Sequence, residues 1–290
     1  MTDAAIPRPA PGFWAHAGHV LRDNPVTGFA FAMFLLIVLA AIFGPALAPY
    51  DPLESNAARA LQPPSADHWF GTDNLGRDVF SRVLVATRLD LTISVAAVAL
   101  SFVVGAAMGA AAGYWGGWVD AVTGRMIDTI MAFPLFVLAM GIVAALGNTV
   151  ENIIYATAII NLPFYARVAR AEVAIRREAG FAQAARLSGN SDLRVLAVHI
   201  FPNALPPMMV QLSLNMGWAI LNAAGLSFIG LGVRPPTPEW GIMVAEGANF
   251  IVSGEWWLAI FPGLSLMLAV FTFNLLGDGL RDLVDPRRRT

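Results

Sequence analysis

The chain has no lysine: all 18 of its basic residues are arginine. A phosphate-binding P-loop needs a lysine that reaches the β- and γ-phosphates, so this chain is not itself such an ATPase. Schiff-base chemistry on lysine is excluded as well. Cysteine is also absent, which removes disulfides and thiolate metal sites. Charge is scarce: Asp, Glu, Lys and Arg together make 13% of the chain, against about 25% in soluble domains. The four histidines, His16, His19, His68 and His199, are scattered without metal-ligand spacing. There is no nucleophile motif, and no repeat with a period of about 20–50 residues. An enzyme active site, a resident cofactor and a nucleic-acid partner are therefore not expected.

What the chain does have is oil: 57% of it is hydrophobic. Six stretches are apolar enough to consider as membrane spans, at residues 28–49, 91–113, 129–147, 153–166, 208–232 and 257–277. None contains Asp, Glu, Arg or Lys, in keeping with the cost of charge at the bilayer centre. The fourth is short and interrupted by Asn161 and Pro163. The first lacks the basic start and the early small-residue cleavage site of a signal peptide, and reads as a retained span. These runs predict an all-α polytopic membrane protein with six transmembrane helices.

Arginine placement predicts its orientation. With six spans, 13 arginines fall on the side that holds both termini, and five fall on the other (Arg59, Arg77, Arg82, Arg88, Arg234). Both termini are thus expected in the cytoplasm. The expected order is a cytoplasmic segment 1–27, a first span 28–49, an outer loop 50–90, a five-helix core 91–277 and a cytoplasmic tail 278–290.

Within that frame, Gly105, Gly109 and Gly113 stand at four-residue spacing, which suits close helix packing. Tyr114, Trp115, Trp118, Trp256 and Trp257 fall where interfacial aromatic belts are expected. In the outer loop, Val79, Phe80, Val83, Leu84 and Thr87 share a helical face with Arg82 and Arg88 off it. That pattern predicts a helix lying on the outer membrane surface. Asp73, Arg77 and Asp78 read as ion pairs that fix the loop.

The longest cytoplasmic loop, 167–203, is polar yet patterned. Glu172 precedes Arg176 by four residues, the favourable order for a helical ion pair. The helix continues through Ala182, Ala184 and Ala185, and Gly189 suits a left-handed end. Ser191 can cap a second helix, with Asp192 in its first turn. Leu193, Leu196, Ala197 and Ile200 then form an apolar stripe, and Pro202 is expected to end the helix. A helix–turn–helix of this kind either docks on another protein or is a solvated connector. Polar residues within spans pose a similar choice: Gln211, Asn215 and Asn222 lie on one stripe, and Asn161 sits beside Pro163. They either line a passage or hydrogen-bond to neighbouring helices.

QAARLSGNSDLRVLAVHIFPN resembles the cytoplasmic EAA loop of permease subunits in bacterial ABC importers, in its peptide-transporter form. Five further strings resemble the same family in the same order. They are RDNPVTGFAFAMFLLIVLAAIFGPALAPYDP, FGTDNLGRDVFSRVL, GGWVDAVTGRMIDTIMAFP, LSFIGLGVRPPTPEWG and GDGLRDLVDPR. The resemblance implies an inner-membrane pore subunit of a dipeptide- or oligopeptide-type importer. Its implied partners are a second permease, two cytoplasmic ATPases that bind ATP and Mg, and a periplasmic substrate-binding protein. It also implies that Gln183, Ala184, Ala185, Arg186, Ser188, Gly189, Asn190, Ser191 and Asp192 seat in an ATPase groove. Gln183 replaces the family's usual Glu, and Ala223 replaces an acidic residue of the fifth span. Nickel chelates, glutathione or opines are alternative cargoes. An ion-coupled secondary transporter is the rival class, and it would carry charged groups inside its spans.

Overall fold

The computed structural model describes residues 24–284, with side chains placed through Arg281. Over that range the chain is helical, and its only β feature is an isolated bridge between Thr72 and Asp78. Helix α1 (Pro25–Leu47) starts at Asn24, whose side chain accepts a hydrogen bond from the Thr27 amide at 3.3 Å. Pro25 at the first helical position loses nothing there, because that amide would have no intrahelical partner. An ordered loop leads to α2 (Val79–Trp115), 37 residues long and so about 55 Å from end to end. Asp78 caps α2 by accepting from the Ser81 amide at 2.7 Å. Then come α3 (Gly117–Met131), α4 (Leu135–Leu146) and α5 (Val150–Arg177). A short α6 (Gly180–Leu187) precedes α7, which runs continuously over Asp192–Phe228. The last helices are α8 (Trp240–Ala248) and α9 (Trp257–Val284).

The frame is the α2–α5 pair. A Cβ at Gly105, Gly109 or Gly113 would lie 2.7, 2.1 and 2.5 Å from the carbonyl oxygens of Leu162, Ala166 and Arg170. The three glycines therefore bring the α2 backbone against every fourth residue of α5, the packing role expected of them. Gly44 does the same for α1, where a Cβ would stand 2.7 Å from the Leu84 oxygen.

Four helices (Pro25–Leu47, Val79–Trp115, Asp192–Phe228, Trp257–Arg281) are long and apolar enough to cross a membrane. A fifth crossing arises if α3 and α4, bent by 88° to each other, form one broken span. The expected third span, 129–147, is thus not a single helix. Pro134 opens α4 and has no amide to continue α3, and α4 alone, at about 18 Å, is too short to cross. The expected fourth span is the opposite case, since α5 passes Pro163 unbroken for 28 residues. It is not among the four helices above, and its last turns carry Arg167, Arg170, Glu172, Arg176 and Arg177. The terminal segments 1–23 and 285–290, on which the expected sidedness of the termini bears, lie outside the described residues.

Three other expectations change. Residues 79–90 form no separate surface helix: they are the first turns of α2, and Arg82 is buried at 1% exposure while Arg88 is exposed. Tyr114 and Trp257 are buried, so neither belongs to an exposed belt, whereas Trp115, Trp118 and Trp256 are exposed. Pro202 ends nothing. The six residues Val195–Ile200 take the wider π form, and the Phe201 amide reaches back to the Leu196 oxygen. The changed hydrogen-bond register accommodates a residue without an amide, and the helix continues through Pro206 and Pro207.

Candidate functional site

The hairpin of α6 and the start of α7 is built on local rules and held by distant ones. The α5 helix stops at Arg177, short of the expected continuation, because Ala179 is extended with ψ of 148°. The Glu172–Arg176 ion pair forms as its spacing predicts. Gly189 sits at φ +83°, in the left-handed region that a glycine enters without steric cost. The Asn190 side chain donates to the Ala185 oxygen at 2.9 Å and closes the turn.

Two faces result. Ala182, Ala185, Val195, Leu196 and Ile200 are buried against Ala106, Ala110 and Tyr114 of α2 and Ala169 and Val173 of α5. Outward stand Gln183, Ala184, Ser188, Gly189, Ser191 and Asp192, with Arg186 and Asn190 half-buried. Ala185 therefore supports the hairpin from inside and does not offer a surface. The Gln183 amide nitrogen donates to the Glu178 oxygen at 3.1 Å. The most exposed apolar group of the hairpin is Leu187 at the tip, at 90%, joined by Leu193 at 66%. Of the expected stripe, Leu193 and Ala197 face out while Leu196 and Ile200 face in.

Sequence reasoning missed Tyr114. Its hydroxyl donates to Asp192 Oδ1 at 2.7 Å, the Arg186 guanidinium lies 5.4 Å from its ring centroid, and Arg177 donates to its carbonyl oxygen at 2.9 Å. One residue at the end of α2 thus touches both helices of the hairpin and the end of α5. The contact to Asp192 joins positions 78 residues apart, a distance no local pattern reveals.

The polar residues of the bundle make mostly local bonds. Asn161 Nδ2 donates to the Thr157 oxygen at 2.8 Å, and Asn222 Nδ2 to the Trp218 oxygen at 2.8 Å. Gln211 donates to Asn215 Oδ1 at 3.0 Å. Asn161, Asn215 and Asn222 are buried, and Gln211 is half-buried. The Tyr165 hydroxyl faces Ser101 and Asn215, yet neither that hydroxyl nor Asn215 Nδ2 has a hydrogen bond of good geometry. The α5–α7 contact therefore holds donors with spare capacity.

At the far end of α2 lies a charged lock. Asp73 Oδ2 accepts from Arg77 Nε at 2.6 Å, and its Oδ1 accepts from the Leu75 and Arg77 amides at 2.9 Å each. Arg82 lies 3.7 Å from Asp73, and both arginines reach Glu246 of α8 at 3.6 Å. Asp78 pairs with His68 at 2.8 Å. The cluster fixes the loop as expected, but it also ties the loop to α8, a helix the sequence did not signal. Beside it, Glu239 caps α8, accepting from the Gly241 and Ile242 amides at 2.8 Å, and bonds to the Asp90 side chain. Asp90 accepts from the Trp240 amide at 3.1 Å. Burial pushes the Glu239 carboxyl above its ordinary range.

Among the described residues no cluster of His, Cys, Asp and Glu could hold a metal. The arrangement offers a hairpin with an exposed apolar tip at one end, a polar helix contact in the middle and a locked loop at the other end.

Residues 78–290 match the family described as the binding-protein-dependent transport system inner membrane component. Residues 12–64 match the N-terminal TM domain of oligopeptide transport permease C. The chain is 42% identical over 277 residues to the dipeptide transport system permease protein of Alkalihalophilus pseudofirmus, covering 96% of this chain and 91% of the relative. It is 43% identical over 268 residues to a probable D,D-dipeptide transport system permease protein of Escherichia coli, covering 92% and 90%. It is 37% identical over 292 residues to the glutathione transport system permease protein of Pectobacterium atrosepticum, covering 100% and 95%.

Proposed function

The chain belongs to the family of binding-protein-dependent transport system inner membrane components, and from that premise we propose how it divides its work. As a multi-pass inner-membrane permease of an ABC importer it is a transport subunit and not an ATPase. Its cargo is a di- or oligopeptide, the class named for two of the relatives above; glutathione, named for a third, is itself a small peptide. A passage for such cargo needs neutral donors and acceptors for peptide groups rather than fixed charge. Gln211, Asn215, Asn222 and Asn161 supply amides of that kind, and Ala223 leaves the same stretch of α7 without a carboxylate.

The observation that carries the coupling role is the outward face of the hairpin. Leu187 and Leu193 stand exposed beyond Gln183, Ala184 and the Gly189 turn, on an element otherwise well anchored through Tyr114. An exposed apolar tip with a polar rim is what a partner groove would cover. Residues 183–192 therefore seat in an ATPase subunit, one of two. A second permease completes the passage, and a periplasmic binding protein delivers cargo. Six crossings, with α5 and the α3–α4 pair included and both termini in the cytoplasm, put the hairpin on the ATPase side. Closure of the ATPases on ATP then moves the hairpin, and α7, continuous with it, carries that movement into the bilayer.

Purification of the chain from native membranes in mild detergent tests this directly. The expected result is two P-loop ATPases and a second permease in comparable amounts, with ATP-dependent uptake of a dipeptide after reconstitution with the binding protein. A chain that elutes alone and moves solute down an ion gradient would overturn it.

A further inference from the structure

Arg88 is the one exposed arginine in the first four turns of α2, and its guanidinium makes no ion pair or hydrogen bond among the described residues. It borders a cavity of about 440 Å3 formed with Ala41 and Ile42 of α1. Leu91 and Val95 continue that cavity into a second, of about 300 Å3, walled by Phe34 of α1, Met216 of α7 and Phe273 of α9. The lining of both is almost wholly apolar. Besides Arg88, Thr92 and Ser213 are the polar lining residues, and their hydroxyls are engaged with the Arg88 and Phe273 oxygens at 2.7 and 3.2 Å.

The dimensions fit a lipid. From Arg88 to Trp115 the helix rises about 40 Å, while the hydrocarbon core is about 30 Å thick. With the exposed Trp115 and Trp118 at one interface, Arg88 therefore stands at the headgroup level of the opposite leaflet. The groove follows α2 from Arg88 to Ala99, an axial run of about 16 Å, close to the depth of one leaflet. No Asp or Glu lines either cavity, so an ammonium headgroup would find no counter-charge, whereas a phosphate with net negative charge would find Arg88.

We propose that this groove holds an acyl chain of one anionic phospholipid, with its phosphate bound by the Arg88 guanidinium. The occupant is a structural lipid wedged between α1 and the α2–α7–α9 core. It tacks the first helix, which belongs to a separately matched segment, onto the rest of the permease.

The test uses the assembled complex, partly delipidated and offered phosphatidylglycerol or phosphatidylcholine with identical chains, with bound lipid counted by native mass spectrometry. Wild type should retain one phosphatidylglycerol per copy at roughly fivefold or greater preference, the scale of a single arginine at a lipid surface. Arg88→Gln should erase the preference without lowering Tm, and Val95→Trp, which fills the groove, should reduce retention of both lipids. Equal retention of the two lipids by wild type, or an unchanged preference in Arg88→Gln, would refute the proposal. Displacement by inorganic phosphate with no dependence on chain length would mean a free-anion site and refute it too. Cross-linking of Val95→Cys to the second permease in native membranes, in place of a photoreactive acyl chain, would make the groove a protein interface and overturn it.

Discussion

Tyr114 shows how one side chain decides where an element points. Its hydroxyl bond to Asp192 and its contact with Arg186 hold the hairpin against the end of α2. Tyr114→Phe removes one hydrogen bond and leaves the ring, so the expected loss is about 1 kcal/mol, read as a small drop in Tm. If the hairpin transmits movement, transport per ATP hydrolysed should fall more than ATPase binding does; an unchanged ratio would make Tyr114 merely structural. The Asp90–Glu239 contact gives a pH prediction. Glu239 has a folded-state pKa raised by burial. Its stabilising share is therefore fully present below the ordinary carboxylate range and is lost as pH rises through the raised value. Glu239→Gln keeps a capping oxygen and removes the titrating carboxyl, and should flatten the alkaline side of the Tm-against-pH curve. A mutant curve that falls as steeply as wild type would show that Glu239 is not what titrates.

Among elements, α2 and α5 are joined by backbone approach and α6 by a surface left uncovered. A side chain at Gly109 would begin 2.1 Å from the Ala166 oxygen, so helices must separate to admit even a methyl group. Overpacking of this sort costs about 1–3 kcal/mol. Gly109→Val should lower Tm and yield in membranes, whereas Gly124→Ala, with open space around it, should do neither. At the hairpin the test is selective. Leu187→Glu alters a fully presented side chain and should leave Tm unchanged while co-purification of the ATPases falls at least tenfold. Ala185→Arg, by contrast, forces a long cation into a buried position, so it should unfold the hairpin and cannot isolate docking from folding. Retention of both ATPases by Leu187→Glu would remove the hairpin tip from the interface.

At the scale of the whole molecule, labelling counts the bilayer crossings. A natural chain without cysteine is ready for single-cysteine labelling, since no background thiol reacts. The proposed topology expects Leu187→Cys to react with an impermeant maleimide only from the cytoplasmic side, and Leu75→Cys, exposed beside the charged lock, only from the periplasmic side. Labelling of both from the same side would require an even number of crossings between them, where three are expected. The lock among Asp73, Arg77, Arg82 and Glu246 has a place at this scale too, since it ties the loop before α2 to α8.

Much of this was written in the local chain. Apolar runs fixed the class as a helical membrane protein, because a bilayer accepts little else. Gly189 signalled a helix end through chemistry that needs only neighbours. The glycine ladder announced a close helix contact, and the resemblance to a permease family rested on six collinear strings. What the sequence left undecided was every matter set by contacts across long separations. It could not tell that Pro202 and Pro163 would lie inside helices, while Pro134 would break one, since that depends on the backbone room each finds. It could not tell that Arg82 would be buried and Arg88 exposed six residues on, because Arg82 is drawn in by Asp73 and Glu246, which come from elsewhere in the chain. Nor could it show that Ala185 faces inward and Leu187 outward. Periodicity marks the faces of a helix, but only the packing of α6 against α2 and α5 determines which one meets water or a partner.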